Sequence, residues 1–118
     1  PPSVMGQIQA GKLKGLATAG KTRHPGLPGV PTTSEAGLKG FELEAWVGIF
    51  APAGTPADVV SLLSGQIKAA LDLPETKTRA DGAGIELRYL PPSALDTLVK
   101  NDTDFWAKTI KSAGITAE

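Results

Sequence analysis

The sequence contains no cysteine, so a disulfide, a thiol nucleophile and a thiolate metal site are all excluded. Histidine occurs once, at His24, which leaves no paired-imidazole metal centre and no obvious general base. Basic and acidic side chains balance at 12 each, so no net field draws the chain to nucleic acid or to an anionic membrane. No apolar run approaches the ~20 residues that cross a bilayer. Aromatic residues are few, and the basic residues are scattered singly without aromatics between them, unlike a single-strand binding groove. No glycine-rich phosphate loop follows a strand pattern, and no carboxylates fall at hard-metal spacing. Binding chemistry is left rather than catalysis, with no catalytic residue, no metal and no cofactor expected.

What the chain does have is punctuation. Its 118 residues suit one ordinary domain, and 14 glycines with 10 prolines cut them into short elements. Val4, Met5 and Ile8 fall at helical spacing, so a short helix from near Ser3 ends at Gly11. Residues 13–19 form an apolar run between glycines and read as a buried strand. Residues 22–31 hold three prolines and two glycines and must be an irregular connection. Residues 41–51 alternate at first and then turn continuously apolar, as a strand does on entering a sheet covered on both faces.

The second half is more regular. Val59, Leu62, Leu63, Ile67, Ala70 and Leu71 share one face of a helix predicted from Pro56 to Asp72. Pro74 opens another over 75–81, ended by Gly82 or Gly84. Residues 85–90 alternate apolar and charged positions and read as a strand exposed on one face. Ser93-Ala94-Leu95-Asp96 reads as a capping box for a last helix running to about Ser112, with Gly114 as its C-cap. That helix carries Leu95, Leu98, Val99, Phe105, Trp106, Ile110 and Ala113 on its apolar side. Strands alternating with helices imply an α/β arrangement, although three strands are too few for a doubly wound sheet.

The most distinctive block is 30–58. Thr32-Thr33-Ser34-Glu35 is a capping box in which Thr32 and Glu35 satisfy each other's orphan donors, and Gly37 stops that helix after about one turn. Trp46-Val47-Gly48-Ile49-Phe50-Ala51 follows, and then Thr55-Pro56-Ala57-Asp58, a Thr N-cap with proline at the first helical position. This order closely resembles the extracytoplasmic solute receptors of the tripartite tricarboxylate transporters, the Bug or TctC-like family. Further residues carry the likeness along nearly the whole chain. They are 9–17 (QAGKLKGLA), 21–32 (KTRHPGLPGVPT), Phe105-Trp106-Ala107-Lys108, and Ala113-Gly114-Ile115.

The resemblance implies a partial periplasmic-binding-protein type II-like fold, α/β, with few strands and flanking helices. Family receptors are well over twice as long, with two lobes around a cleft, and only their C-terminal part is matched. It implies that 1–45 are the remnant of one lobe, 46–52 the strand crossing between lobes, and 53–118 the C-terminal part of the other lobe with the terminal helix. A fragment of that kind leaves two half-cores wet, so a homo-oligomer, a strand-exchanged dimer or pairing with a chain carrying the missing part is expected. Family receptors are exported, which places this chain in the periplasm with its signal peptide upstream of Pro1. Its implied partners are a small carboxylate or dicarboxylate and membrane transporter subunits, with no nucleic acid. The function implied is part of a receptor for small carboxylates. The alternative is a truncated receptor that acts only as a structural, oligomerising module.

The ligand-binding candidates are Thr32, Thr33, Ser34 and Trp46. Hydroxyls and free amides at a helix N-terminus favour a carboxylate. Because Glu35 brings an anion of its own, simple capping is the favoured reading of that turn. Thr55 offers a similar start, but Pro56 removes a donor and Asp58 opposes an anion, so it is read as a cap. Trp46 is read first as buried packing and second as a wall of the pocket or hinge. His24 lies in a connecting loop and gets no chemical role. Asp102, on the apolar stripe of the last helix, is expected to accept hydrogen bonds from a neighbouring loop or an arginine.

Overall fold

The computed structural model describes residues 2–116. Its regular elements are four helices: α1 (Pro2–Gln9), α2 (Ala57–Leu71), α3 (Pro74–Ala83) and α4 (Pro92–Ser112). Each falls where the spacing of apolar residues placed it, within about two residues at either end. Four turns end in the same way. At Gly11, Gly37, Gly84 and Gly114 the backbone φ lies between 66° and 96°. The residue after each glycine donates its amide to a carbonyl five positions back: Lys12 to Gln7, Leu38 to Thr33, Ile85 to Ala80 and Ile115 to Ile110. That is the Schellman termination, and the left-handed backbone it requires is why glycine occupies these four places.

The helix starts differ in two places from the sequence reading. α4 begins at Pro92 with Pro91 as N-cap and without a side-chain cap, so Ser93 lies inside the first turn and the expected 93–96 capping box does not form. Consecutive prolines fix φ near the value the first turn needs and have no amide to cap. Before α2, the Thr55 hydroxyl donates back to the Pro52 carbonyl at 2.8 Å, and the first helical bond runs from Val60 N to Pro56 O at 3.1 Å. Thr55 thus closes the turn at 52–55.

The larger difference concerns the strands. Among the described residues none of the three expected over 13–19, 41–51 and 85–90 forms a ladder, and the one β contact is an isolated parallel bridge between Thr18 and Thr32. Residues 41–52 do run without helix, turn or bend, so the chain is extended there as expected. A strand is completed by a neighbour, however, and the bond from the Leu43 amide to Ala19 O at 2.9 Å is not extended into a ladder among the described residues. The alternation of extended segments and helices is present, while the sheet is not.

The chain divides into two units. The first comprises Pro1–Ile49 and Ala70–Leu87, and the second comprises Phe50–Ala69 and Arg88–Glu118. In the first unit, Met5, Leu27 and Val30 form a small buried cluster with Ile8 packed on it, and Ala80 of α3 is buried as well. Met5 reaches the buried Gly84, where a Cβ would stand 2.5 Å from its Cε. Beside it the His24 ring accepts the Gly26 amide on Nδ1 at 3.1 Å and bonds the Gly84 carbonyl through Nε2 at 3.3 Å. One tautomer serves both bonds: Nδ1 unprotonated, Nε2 carrying the proton. His24 therefore has a structural task that its place in a loop did not suggest.

In the second unit, neither α2 nor α4 has a buried residue. Their apolar faces exist as predicted, but Leu62, Leu63, Phe105, Trp106 and Ile110 are exposed. Phe105 and Trp106 meet edge to face with ring centroids 5.3 Å apart. Tyr89 is anchored by a 2.9 Å hydrogen bond between its hydroxyl and that of Ser64, and Lys68 Nζ lies 6.0 Å from its ring centroid. Asp102 is half-buried on α4 and is not free of polar partners.

Candidate functional site

The turn that carries three of the four candidate residues is the most tightly bonded part of the first unit. Thr18 N donates to Pro31 O and Thr33 N to Thr18 O, both at 2.8 Å, which fixes the start of the turn against the 13–19 segment. The capping box closes as the sequence indicated. Glu35 N donates to Thr32 Oγ1 at 3.1 Å, and Thr32 N donates to Glu35 Oε2 at 2.8 Å. Thr32 is only 4% exposed, so its end of both cap bonds is buried, while the Glu35 carboxylate stays open to water. Thr33 turns its hydroxyl to the Phe41 carbonyl at 2.6 Å, tying the turn to the extended run that follows.

Arg23 completes the arrangement. Its Nε lies 2.8 Å from the same Glu35 Oε2 that caps Thr32, and its Nη1 donates to Pro28 O at 3.2 Å. The Arg23 hydrogen bond, followed by the Thr32 amide, holds the Glu35 carboxyl below its ordinary value. The same bond raises the guanidinium's. Sequence spacing gave no hint of this pair, because residues 12 apart meet only once the irregular 22–31 connection has folded. Its electrostatic effect is to neutralise the anion that argued against carboxylate binding at the turn.

The donors left over are few. The amides of Thr32, Thr33, Glu35, Ala36 and Gly37 are all used within the chain, as are the Thr32 and Thr33 hydroxyls. Ser34 keeps its amide and its hydroxyl without a partner among the described residues, and it is half-buried. Of the three turn residues, Ser34 is the one with donors to offer a ligand. Thr18 Oγ1, on the segment bonded to the turn, is buried and also lacks a partner. Trp46 stands apart on the extended run and is 36% exposed, not buried as first read.

The second unit presents an open groove of about 420 Å³ lined by Ala57, Val60, Ser61, Ser64, Tyr89 and Pro92. It contains hydroxyls and apolar surface but no ionisable group able to hold a carboxylate by charge. Among the described residues no cluster of histidine and carboxylate groups has the arrangement of a metal centre, and no helix is long and apolar enough to cross a membrane.

Known proteins place this arrangement in context. The family described as the tripartite tricarboxylate transporter family receptor matches residues 1–115. A protein from Pseudomonas sp. (strain P51), encoded in the tcbD-tcbE intergenic region, is 40% identical over 104 residues, covering 87% of this chain and 31% of that protein. One from Agrobacterium vitis is 39% identical over 92% of this chain and 32% of its own length, and BugT of Bordetella pertussis is 26% identical over 96% and 35%. The chain thus spans about a third of the length of these relatives. The solved structure of the periplasmic binding protein BugD superposes with a TM-score of 0.83 at 38% identity, over 98% of this chain and 39% of that one. The backbone path of nearly the whole chain therefore recurs within a longer binding protein. This chain belongs to the tripartite tricarboxylate transporter receptor family and carries a part of the periplasmic-binding-protein fold.

Proposed function

We propose that this chain forms part of a periplasmic receptor that captures a small carboxylate and hands it to a tripartite tricarboxylate-type transporter in the membrane. The observation that carries the reading is the family match along 1–115. The turn at 32–35 suits the task in one respect. Its own carboxylate is paired with Arg23, and Ser34 has an amide and a hydroxyl without a partner among the described residues, which in this reading are offered to the anion. Trp46 supplies an aromatic surface on the adjoining extended run. The receptor is a binding protein in this reading, and its solute is held by oriented dipoles rather than by a metal or a basic cluster.

A second reading is favoured by the bonds within the turn itself. Five of the six amides over 32–37 are already satisfied, which leaves one residue to meet the ligand and fits a truncated receptor that serves as a structural, oligomerising module. A chimaeric receptor in which these 118 residues replace the matched part of BugD separates the two. Small di- and tricarboxylates screened by thermal shift raise its melting temperature if the carboxylate reading holds. Ser34→Ala then lowers affinity about tenfold, the loss of the hydroxyl's one hydrogen bond to a charged group. A folded chimaera with no response to any organic acid favours the module. The 118-residue chain alone binds such acids weakly or not at all, and low-micromolar binding by calorimetry would overturn that expectation.

A further inference from the structure

Three segments of the first unit meet at His24. Its own connection supplies the Gly26 amide, which Nδ1 accepts at 3.1 Å. The end of α3 supplies the Gly84 carbonyl, 3.3 Å from Nε2. α1 supplies Met5, whose Sδ would lie 3.0 Å from a Cβ on Gly26 and 3.1 Å from one on Gly84. The ring is half-buried, so protons from solvent reach it. With one histidine and no cysteine in the sequence, no other side-chain type here ordinarily changes charge between about pH 5 and 8.

The two bonds respond to a proton in opposite ways. A neutral ring accepts at one nitrogen and donates at the other, and both bonds form. A protonated ring donates at both, so Nδ1–H is set against the Gly26 N–H and that bond is lost. The bond to Gly84 survives and gains charge assistance. Gly84 is also the C-cap of α3, at the negative end of the helix, where a positive ring is favoured. The charged groups on these elements leave that balance in place. α1 has none. On the connection, Arg23 is held by Glu35 and Pro28 O. α3 carries Glu75, Lys77, Arg79 and Asp81, with Lys77 and Asp81 paired at 3.5 Å, and Glu86 follows Gly84 by two residues. None of these is bonded to the imidazole among the described residues.

We propose that His24 is a pH-dependent switch in the first unit. Neutral, it ties the turn at 24–26 to the end of α3; protonated, it keeps α3 and frees the Gly26 amide. The change is local, because the Leu27 amide still closes the turn on His24 O at 2.9 Å. Arg23 and Glu35 hold the turn at 32–35 by a separate pair, which a carboxylate proton and not an imidazole proton disrupts. The switch does not depend on which solute is held, so its test and the carboxylate test fail separately.

The experiment is an NMR titration of the 118-residue chain from about pH 8 to about pH 5, across the range in which an imidazole protonates. It follows the ring nitrogens together with the amides of Gly26 and Ile85. The expected result is one titration shared by the ring and Gly26. At its acid end Nδ1 carries a proton, and protection of the Gly26 amide, taken relative to its intrinsic exchange rate, has fallen about tenfold. Ile85, whose amide closes the end of α3 on Ala80 O, keeps its protection throughout. His24→Gln has no proton to gain in this range, and the Gly26 step disappears with it. Should that variant fail to fold, the titration of the unsubstituted chain decides alone. A Gly26 amide that keeps its protection while the ring protonates overturns the proposal. So does an Ile85 amide that is lost in step with Gly26, which means that the tie to α3 has opened instead. A Gly26 step that persists in His24→Gln has the same consequence.

Discussion

The turn at 32–35 and the run at 45–51 are separated by only nine residues and are opposites in physical terms. The turn closes on itself: Thr32 is buried, its amide and hydroxyl are both bonded to Glu35, and Arg23 reaches back to hold Glu35. The run contains a denser sequence of large apolar residues and yet buries none of them. The difference is one of contact range. A capping box and a Schellman end are completed by residues three to five positions away, whereas an apolar strand is completed by residues that may be a hundred positions distant. Burial in this chain follows the availability of a partner, and hydrophobicity alone does not produce it.

Met5 provides the strongest way to break that contrast. It is the side chain on which the first unit's buried cluster turns, touching both Gly26 and Gly84. Met5→Ala is expected to cost about 2 kcal/mol, the low end for a core truncation because the cluster is small. Leu62→Ala on the exposed face of α2 removes as much apolar volume and is expected to change the lone chain's stability by less than about 0.5 kcal/mol. Paired melts, or exchange of the Ile85 amide bonded to Ala80 O, read the difference directly. Equal effects would mean that the second unit has a core of its own.

Gly84→Ala ranks next. The residue sits at φ 69°, and its new Cβ would fall 2.5 Å from Met5 Cε. The methyl end of Met5 can swing aside, so the left-handed backbone supplies most of the cost, about 1 to 2 kcal/mol. The bond from His24 Nε2 to Gly84 O should weaken with it, which the imidazole resonances report. Gly65, inside α2 with nothing near its missing Cβ, supplies the opposite case: Gly65→Ala should stabilise the lone chain by about 0.5 to 1 kcal/mol.

How much could be read in advance divides along the same line. The helices, the glycines that end them and the 32–35 capping box were legible, because each is specified within a few residues. The family likeness was legible for the same reason, since it rests on the order of such local signals. The buried set was not. Nothing local distinguishes Met5, which is buried, from Leu16, which is exposed, since each sits in a short apolar run near a glycine. The tie from His24 to Gly84 joins residues 60 apart and has no sequence signature. The 93–96 capping box misled because a tandem proline immediately upstream already sets the helix start, a stronger constraint than a hydroxyl cap.

Thr32→Ala tests the closed side of the comparison more gently. It removes the acceptor of the Glu35 amide and is expected to cost about 1 kcal/mol, with Thr32→Ser recovering most of it. The smallest effect is the pH dependence of the same turn, and its sign follows from Glu35. The Arg23 hydrogen bond and then the Thr32 amide hold its carboxyl below its unfolded value, so folding favours the ionised form. The stabilisation is fully present above the unfolded carboxylate range and is lost as pH falls through the lower, folded value. Because both partners are open to solvent, the loss is small and screened by salt. Protection of the Thr32 amide, taken relative to its intrinsic exchange rate, should therefore fall only at acid pH, and Glu35→Gln should remove that dependence while leaving Val47 and Ile49 unaffected. An equal acid response at 45–51 would show that the open run draws its order from the closed turn, and the contrast between the two regions would collapse.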